Sequence, residues 1–519
     1  MVVDPMLFNP IYSCQELRTC RVGSSGPQIS PLEASLRRGK LKEHMAEHND
    51  LALSEIHNRE RELRQLSDAW DSHVPELITV WGRRRVGKST LLAHFAREKR
   101  AIYLYGTRAS EADILENLSL LMAESFGDER LREDPFRTWT GALNHFVRLS
   151  RTGRLLVILD EFQFMCEATP GLDTLVQRWW DENHRSTDVM LVVCSSAFSF
   201  VHELTGAAGA LHGRRTGQLE LAPFDYLDAA RFFPHFAPED RVRAYACLGG
   251  IPAYLRFWSP ERTLEESVLR TMLSPGHVLF REAEELLRTE FHNEALYASI
   301  LRAIAGGEHR PSDIARAVGR GGADDIFDHL KRLIDLHFVR REVPITEWGR
   351  SRTQRVLYKL ADPYLRFWFR FVAPQQSAIL LERGASLWRE QIAPELDDFV
   401  ARFAFEEICM QYLWRWLAAG ETSVAFNHLG RWWDAESEID LVGLNGNTAV
   451  LVGEAKWTAR PVGPSDLTRL QAKAGKLPLH GSPLWVLASR SGFTDELRRR
   501  AAVGDVLLIE PADLYAIPA

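Results

Sequence analysis

Short apolar segments alternate with amphipathic ones from about residue 56 onward, and this alternation predicts the first part of the fold. Five apolar segments are too short for helices and predict strands, at 77–81, 101–105, 155–159, 189–194 and 218–221. Strands that are apolar on both faces are typical of a parallel sheet covered by helices on each side. A helix at about 58–72 and another from residue 88 fit the same pattern.

Helical patterns replace this alternation from residue 224 to about 288. Three helices and a two-stranded ribbon then predict a winged helix, with helices at 294–304, after 311–312 and at 324–336, and strands at 338–343 and 355–360. The last part alternates again, with helices at 397–417, 466–476 and 494–501 and strands at 438–444, 449–455, 484–488 and 506–509.

Composition narrows the class of protein. A chain of 519 residues is too long for one hydrophobic core and predicts several domains. It has no apolar stretch near the ~18 residues of a membrane span and no leader-like start, so we expect a cytoplasmic protein without membrane partners. The net charge of −7 gives no general attraction to nucleic acid, so any DNA contact needs a local patch. Six scattered cysteines without a CxxC pair suit reduced thiols.

A phosphate-binding motif follows the first predicted strand. The sequence GRRRVGKST at 82–90 fits the pattern GxxxxGK[ST] directly before a helix. Gly82 and Gly87 let backbone N–H groups turn towards phosphates, Lys88 brings a positive charge to the β- and γ-phosphates, and the Ser89 hydroxyl suits Mg²⁺. ATP is therefore the predicted cofactor, and the other loop residues expected at it are Arg85, Val86 and Thr90.

Two further strand ends complete a predicted hydrolytic site. The strand at 155–159 ends in Asp160 and Glu161. The first carboxylate suits the Mg²⁺ shell and the second can polarise an attacking water. The strand at 189–194 ends in Ser195 and Ser196, either of which could place a hydroxyl near the γ-phosphate.

These strand ends, with four flanking boxes, closely resemble the archaeal and bacterial AAA+-like ATPases that are allied to the STAND NTPases. The boxes are NREREL at 58–63, GRRT at 213–216, GGIPAYL at 249–255 and DPYLRFW at 362–368. Asn58 stands where the family usually has glycine. The last box marks the start of that family's C-terminal extension.

The resemblance implies roles for residues outside the phosphate motif. It places Arg59 at the cofactor, Gly250 and Pro252 near the nucleotide base, and Arg214 or Arg215 at the γ-phosphate, within the chain or from a neighbouring copy. A solvated turn at 214–215 and a simple helix break at 249–252 remain alternatives. AAA+ enzymes often assemble and STAND proteins can stay monomeric until triggered, so homo-oligomer formation on activation stays open.

The predicted winged helix and the aromatic run after it have structural as well as nucleic-acid interpretations. The helix at 324–336 carries only Lys331 and Arg332 as cations beside several aspartates, which favours packing on the ATPase over reading DNA. The run at 362–371 alternates arginine with aromatic residues. A buried interdomain helix is favoured over base stacking for that run.

The C-terminal part holds a second chemical signal. Asp440 lies in one predicted strand, and the next strand ends in Glu454-Ala455-Lys456. Glu454 and Lys456 are two residues apart and share a face. Two carboxylates at one point can hold Mg²⁺ or Mn²⁺, which activates water against a phosphodiester.

This arrangement resembles the PD-(D/E)xK nuclease superfamily. The resemblance makes Asp440 and Glu454 metal ligands, gives Lys456 a catalytic role, and matches Glu406 or Glu407 to an additional acid, of which we take Glu407. A degenerate nuclease fold that only binds a partner is the alternative, because function does not follow from fold.

The predicted fold class is therefore α/β, with a P-loop AAA+/STAND core, a helical lid, a winged helix and a C-terminal restriction-endonuclease-like domain. The expected parts are a poorly ordered segment at 1–50, the ATPase core at 51–223, the lid at 224–290, the winged helix at 291–372 and the nuclease-like domain at 373–519. The predicted function is an ATP-hydrolysing switch that controls a metal-dependent nuclease-like domain acting on nucleic acid, in DNA processing or defence. The alternative is a STAND-like signalling ATPase with a non-catalytic last domain.

Overall fold

A computed structural model describes residues 58–516, except positions 292, 351, 352, 354, 421 and 423. The predicted poorly ordered segment at 1–50 lies outside these residues. The described residues fall within one compact unit, Ser54–Ala519. No helix among them is long and apolar enough to cross a bilayer.

The first sheet is parallel, as the apolar strand pattern predicts. Its strands are β1 (Glu76–Gly82), β2 (Ala101–Tyr105), β3 (Leu155–Asp160), β4 (Val189–Ser195) and β5 (Gly217–Leu221). Their order is β2-β3-β4-β1-β5. Every residue of β3 and β4 is buried, because helices cover both faces of the sheet.

The helices of this part follow the strands in alternation. They are α1 (Glu60–Asp71), α2 (Lys88–Ala96), α3 (Glu111–Phe126), α4 (Arg130–Glu133), α5 (Trp139–Ser150), α6 (Phe162–Ala168), α7 (Leu172–Asn183) and α8 (Phe198–Thr205). Two separate apolar clusters, one on each face of the sheet, hold them in place. All five strands end at one edge, which therefore gathers the phosphate-binding turn, Asp160, Glu161 and Ser196.

Helices dominate the middle of the chain. They are α9 (Tyr226–Ala230), α10 (Pro238–Leu248), α11 (Pro252–Leu255), α12 (Leu264–Thr271), α13 (Val278–Glu290), α14 (Glu294–Ala305), α15 (Pro311–Ala317) and α16 (Phe327–Asp335). An antiparallel ribbon follows, β6 (Val339–Glu342) and β7 (Leu357–Leu360), in which Val339 pairs with Leu360.

The aromatic run then forms a buried helical segment. It comprises α17 (Pro363–Phe367) and a π-helical turn, Trp368–Val372, and all but one of its side chains are buried. The further helices are α18 (Gln376–Leu380), α19 (Gly384–Leu387), α20 (Ala393–Phe403) and α21 (Phe405–Ala418). The sequence predicts one helix at 397–417, but Ala404 leaves the helical conformation at φ −128° and divides α20 from α21.

The second sheet has five strands in the order β12-β11-β10-β9-β8. They are β8 (His428–Trp433), β9 (Glu438–Asn445), β10 (Thr448–Lys456), β11 (Leu479–Ser489) and β12 (Val506–Ile509), with α22 (Pro464–Ala474) and α23 (Asp495–Ala501) between the later strands. Strands β8, β9 and β10 are antiparallel, whereas β11 and β12 run parallel to β10. The sequence did not predict β8.

Candidate functional site

The phosphate-binding motif forms the turn between β1 and α2. Gly87 adopts φ +96° as the residue before α2, a left-handed conformation that favours glycine. The Lys88 Nζ donates to the carbonyl oxygens of Gly82, at 2.9 Å, and of Arg83, at 3.2 Å. The ammonium group thus lies inside the turn, where the N–H groups that begin α2 also point. Thr90 is half-buried in the first turn of α2.

Oxygen ligands suited to Mg²⁺ meet at the end of β3. The Ser89 hydroxyl donates to Asp160 Oδ2 at 2.7 Å, and the carboxylate is fully buried. The Tyr103 hydroxyl, from β2, donates to the same oxygen at 2.6 Å. A hydroxyl and a carboxylate this close fit a cation that prefers oxygen ligands. The sequence analysis missed Tyr103, although a hydroxyl in the middle of the predicted strand 101–105 is a signal that could have found it.

Glu161 is oriented by groups from its own turn and from β4. Its backbone is left-handed at φ +52°. The Ser196 hydroxyl donates to Glu161 Oε2 at 2.7 Å, and Gln163 Nε2 donates to the same oxygen. Ser195 instead accepts a bond from the Ala197 N–H. Of the two serines predicted for this place, the structure therefore brings Ser196 to the carboxylate.

Arg59 joins the phosphate-binding turn to the segment after β5. Its Nη2 donates to the carbonyl oxygens of Val86, at 3.2 Å, and Ala222, at 2.9 Å. The guanidinium lies 4.5 Å above the centre of the Phe224 ring. Burial lowers the pKa of this arginine from its usual value. In this structure Arg59 positions the turn through the Val86 carbonyl.

The arginines of the turn pair with later parts of the chain. Arg85 Nη1 lies 2.8 Å from Glu282 Oε2 in α13. Arg83 pairs with Asp362, and both side chains are almost fully buried. Burial alone would lower the pKa of Arg83, but Asp362 outweighs it and the pKa is raised. The Arg85 side chain, predicted at the cofactor, is thus directed towards the lid segment.

The GGIPAYL box packs against the segment after β5. The Phe224 N–H donates to the Gly250 carbonyl at 2.8 Å. A Cβ added at Gly250 would lie 1.7 Å from the Phe224 carbonyl oxygen, so no larger residue fits there. Pro252 opens α11 at its first position, where its missing N–H costs nothing. The contacts of Gly250 and Pro252 are with protein.

Arg214 and Arg215 do not lie at the phosphate-binding edge. The Thr216 N–H donates to the Leu77 carbonyl, which places these arginines at the start of β1, whereas the phosphate-binding turn follows its end. Five residues of strand separate the two, roughly 16 Å. Arg214 pairs with Asp181 at 2.9 Å and Arg215 with Gln218 at 2.8 Å. The expectation of a γ-phosphate contact within the chain is therefore wrong.

The C-terminal carboxylates meet between β9 and β10. Leu441 pairs with Gly453, so Asp440 and Glu454 lie one step further along the same two strands. The Ala455 N–H donates to Asp440 Oδ2 at 3.0 Å. Lys456 Nζ lies 3.5 Å from Glu454 Oε1, and Lys473 Nζ, from α22, lies 2.9 Å from that same oxygen. Lys473 was not predicted.

Negative charge is concentrated around Asp440. Burial and the nearby carboxylates of Glu406 and Glu454 raise the pKa of Asp440 to about 7. Burial also raises the pKa of Glu406. Arg431 compensates in part, since its Nε lies 2.9 Å from Glu406 Oε2. Across the described residues, no group of three or more His, Cys, Asp or Glu side chains is arranged to hold a metal ion.

Glu407 is not the acid that the helix brings to this point. It pairs with Arg340 at 2.8 Å and with Arg366 at 3.5 Å. Burial would raise the pKa of Glu407, but these two arginines outweigh it and the pKa is lowered. Glu406 pairs instead with Arg431 of β8 and adds to the effect of burial in raising the pKa of Asp440, whereas Glu407 pairs with Arg340 of β6.

Comparisons with known proteins agree on the ATPase part. Residues 56–257 match a family described as an ATPase domain predominantly from Archaea. Residues 368–472 match archaeal and bacterial proteins of unknown function. An uncharacterized protein of Methanocaldococcus jannaschii is 31% identical over 408 residues, which cover 77% of this chain and 87% of that protein.

The solved structures to which the chain is similar have lower identities, and their TM-scores are below 0.5. A Walker-type ATPase of Pyrococcus abyssi is 20% identical, with a TM-score of 0.47, over 61% of this chain and 96% of that one. The ORC2 protein of Aeropyrum pernix, in ADPNP–ADP complexes, is 18% identical, with a TM-score of 0.36, over 64% and 96%. A STAND protein of Pyrococcus horikoshii with a tetratricopeptide repeat sensor is 14% identical, with a TM-score of 0.29, over 70% and 50%.

The match to the Methanocaldococcus protein extends over most of both chains. The chain belongs to this family of P-loop ATPases, whose ATPase domain occurs predominantly in Archaea.

Proposed function

We propose that the protein is an ATP-binding and ATP-hydrolysing switch that controls a metal-dependent nuclease in its C-terminal part. The proposed parts are an ATPase core at 51–223, a lid at 224–290, a winged helix at 291–372 and a nuclease-like domain at 373–519. DNA is the proposed substrate.

The hydrolytic roles follow from the strand ends of the first sheet. Lys88 exchanges its bonds to the turn carbonyls for the β- and γ-phosphates of ATP. Ser89 and Asp160 hold Mg²⁺, which neutralises the charge that develops on the phosphates. Glu161, oriented by Ser196, polarises the attacking water. Lys88→Ala removes the phosphate-facing charge, so we expect ATP binding to be lost. Normal affinity together with normal turnover would contradict the assignment.

The proposed winged helix packs on the ATPase core. The His337 ring, just after α16, lies 4.7 Å from that of Phe198 beyond β4. Arg83 of the phosphate-binding turn lies 5.6 Å from the centre of the Phe338 ring. These contacts favour a role in sensing the nucleotide site over DNA reading by α16.

One observation carries the nuclease proposal. Asp440 and Glu454 lie at neighbouring positions of two paired strands, with Lys456 on the face of Glu454. The order of α21, β8, β9, β10, α22 and β11 resembles that of PD-(D/E)xK nucleases. Mg²⁺ keeps several waters and binds proteins through one or two carboxylates plus substrate phosphates, so a two-carboxylate donor set fits it or Mn²⁺.

The alternative is a signalling ATPase whose last domain only binds a partner. Lys456 and Lys473 both pair with the Glu454 carboxylate. Among the residues described, no third carboxylate completes a group that could hold a metal ion. These two features favour a degenerate site.

Calorimetric Mn²⁺ titration without ATP, beside cleavage of duplex and single-stranded DNA with and without ATP, separates the two proposals. Asp440→Ala should abolish both metal binding and cleavage. Lys456→Ala should keep metal binding and suppress cleavage. Lys476→Ala is the matched control, because this lysine contacts Asp434 on the surface. If the wild type neither binds Mn²⁺ nor cuts under any nucleotide condition, the partner-binding alternative replaces the nuclease.

A further inference from the structure

The connection between β6 and β7 presents an exposed aromatic side chain. After a short helical turn, Ile345–Glu347, the Trp348 side chain is 63% exposed. Arg350, two residues later, is also exposed. An exposed indole offers an apolar ring face for stacking and an N–H that can donate a hydrogen bond.

This connection is built onto the edge strand of the second sheet. Arg355 Nη1 donates to the Trp433 carbonyl of β8 at 2.8 Å, and the same guanidinium pairs with Glu347. Ile345 packs on β8, where a Cβ added to Gly430 would lie 3.1 Å from Ile345 Cδ1. The ribbon therefore extends the surface of the C-terminal sheet, and Trp348 is held in a defined place.

A second ring lies beside the indole. The ring of His428, the first residue of β8, lies 6.1 Å from that of Trp348 at an interplanar angle of 39°. Arg431, which pairs with Glu406, comes three residues after His428. Three residues of strand span roughly 10 Å. His428 therefore lies roughly 10 Å along β8 from Arg431, whose partner Glu406 adds to the effect of burial in raising the pKa of Asp440.

The described residues of this connection include one glutamate and two arginines. The only carboxylate of the described residues between β6 and β7 is Glu347, which is buried and neutralised by Arg355. Arg350 remains exposed beside the indole. An aromatic face with an adjacent arginine is how proteins bind single-stranded nucleic acid without sequence preference.

We propose that Trp348 and His428 form a stacking platform for the bases of one nucleic-acid strand, and that Arg350 contacts its phosphates. The platform guides this strand towards Asp440 and Glu454. The proposal rests on the proposed nuclease function, because it assigns a binding surface to the substrate of that site.

The test is fluorescence anisotropy of a labelled single-stranded DNA with the full chain in EDTA, so that binding is read without cleavage. Trp348→Ala should weaken binding about tenfold, and Trp348→Phe should restore most of it. Arg350→Glu should weaken binding and reduce its dependence on salt concentration. Trp414→Ala is the matched control, since Trp414 is also an exposed tryptophan beside one other ring, that of Phe426 at 5.1 Å.

Two results would overturn the platform. The first is wild-type protein that binds no DNA, which would leave a protein as the partner of this surface. The second is Trp348→Ala and Arg350→Glu variants that bind DNA as tightly as the wild type. Cleavage assays with Mn²⁺ separate this failure from that of the nuclease. Trp348-dependent binding without cleavage supports the platform and overturns the nuclease. Cleavage with an unchanged KM in Trp348→Ala supports the nuclease and overturns the platform.

Discussion

Single side chains decide whether the ATPase site binds or also hydrolyses. Glu161 receives hydrogen bonds from Ser196 and Gln163 on one oxygen, which fixes its carboxylate at the end of β3. Glu161→Gln keeps the size of the side chain but cannot act as a base. We expect ATP affinity within about threefold of the wild type and hydrolysis reduced at least about 100-fold.

Calorimetry and phosphate release measure these two effects separately. Glu167→Gln is the control, because Glu167 is exposed on the neighbouring helix α6. Wild-type turnover in Glu161→Gln would show that another group activates the water.

Asp440 makes stability depend on pH. Its pKa is about 7 in the folded protein, through burial and the charges of Glu406 and Glu454, against 3.8 as the ordinary value. The folded state therefore keeps a proton that the unfolded state releases, and the stability from this group falls as pH rises from about 4 to about 7. Asp440→Asn removes this titration. Between pH 5 and pH 8, the free energy of unfolding of the variant should therefore fall by roughly 2 kcal/mol less than that of the wild type.

Urea unfolding in EDTA at the two pH values checks this prediction. Glu438→Gln provides the comparison, since Glu438 lies at the start of the same strand but is largely exposed. Equal declines in wild type and Asp440→Asn would mean that Asp440 is ionised throughout.

At the scale of elements, the sequence pattern predicted those strands and turns that depend on residues close together in the chain. The strands of the first sheet and the turn at 82–90 follow from apolar runs and glycine positions within a few residues. Strand β8 escaped prediction because Gly430 and a register shift interrupt its alternation. The choice between Glu406 and Glu407 could not be made either, because it depends on which face of α21 meets the second sheet.

Contacts between elements that are distant in the chain could not be predicted from the sequence either. Arg83 pairs with Asp362, 279 residues away, and Arg59 bonds to Ala222, 163 residues away. The resemblance to known ATPases identified the boxes that contain Arg59 and Asp362, but it did not indicate which residues these side chains contact. The same limit explains Arg214 and Arg215, whose box was identified while its place at the opposite edge of the sheet was not.

The joint between the first sheet and α11 gives a prediction at this scale. Gly250→Ala places a methyl group against the Phe224 carbonyl, so the two segments must separate. We expect a loss of about 3 kcal/mol or more in stability, with weaker ATP binding. Gly276→Ala makes the same substitution where the added Cβ meets nothing within 4 Å, and it should change stability by less than about 0.5 kcal/mol. Similar unfolding midpoints for both variants would contradict the tight joint.

At the scale of the whole molecule, the parts predicted as separate domains share one core. A single apolar cluster runs from Phe224 in the lid segment through Leu333 and Phe367 to Leu451 and Leu514 in the C-terminal part. Arg415 of α21 also pairs with Asp225 and Asp228 next to α9. The segment after β5 and the C-terminal sheet are therefore joined by packed side chains and by ion pairs.

Assembly is the remaining property of the whole molecule that the site geometry addresses. Arg214 and Arg215 lie at the start of β1, roughly 16 Å from the phosphate-binding turn of their own chain. They can reach a γ-phosphate only from a neighbouring copy. An Arg214→Ala/Arg215→Ala double variant should then lose about 10³-fold in turnover, as expected for an arginine that stabilises the transition state in trans.

Mixing this double variant with Glu161→Gln tests the arrangement. The Glu161→Gln copies keep their arginines and the double variant keeps its glutamate, so mixed oligomers should regain turnover at the shared sites. Lys88→Ala mixed with Glu161→Gln is the control and should regain none, because neither copy then has an intact nucleotide site. Absence of recovery in a verified mixed oligomer would exclude action between copies. If the double variant alone hydrolyses ATP at the wild-type rate, neither arginine has a role in hydrolysis, and Arg214 only pairs with Asp181 at the surface.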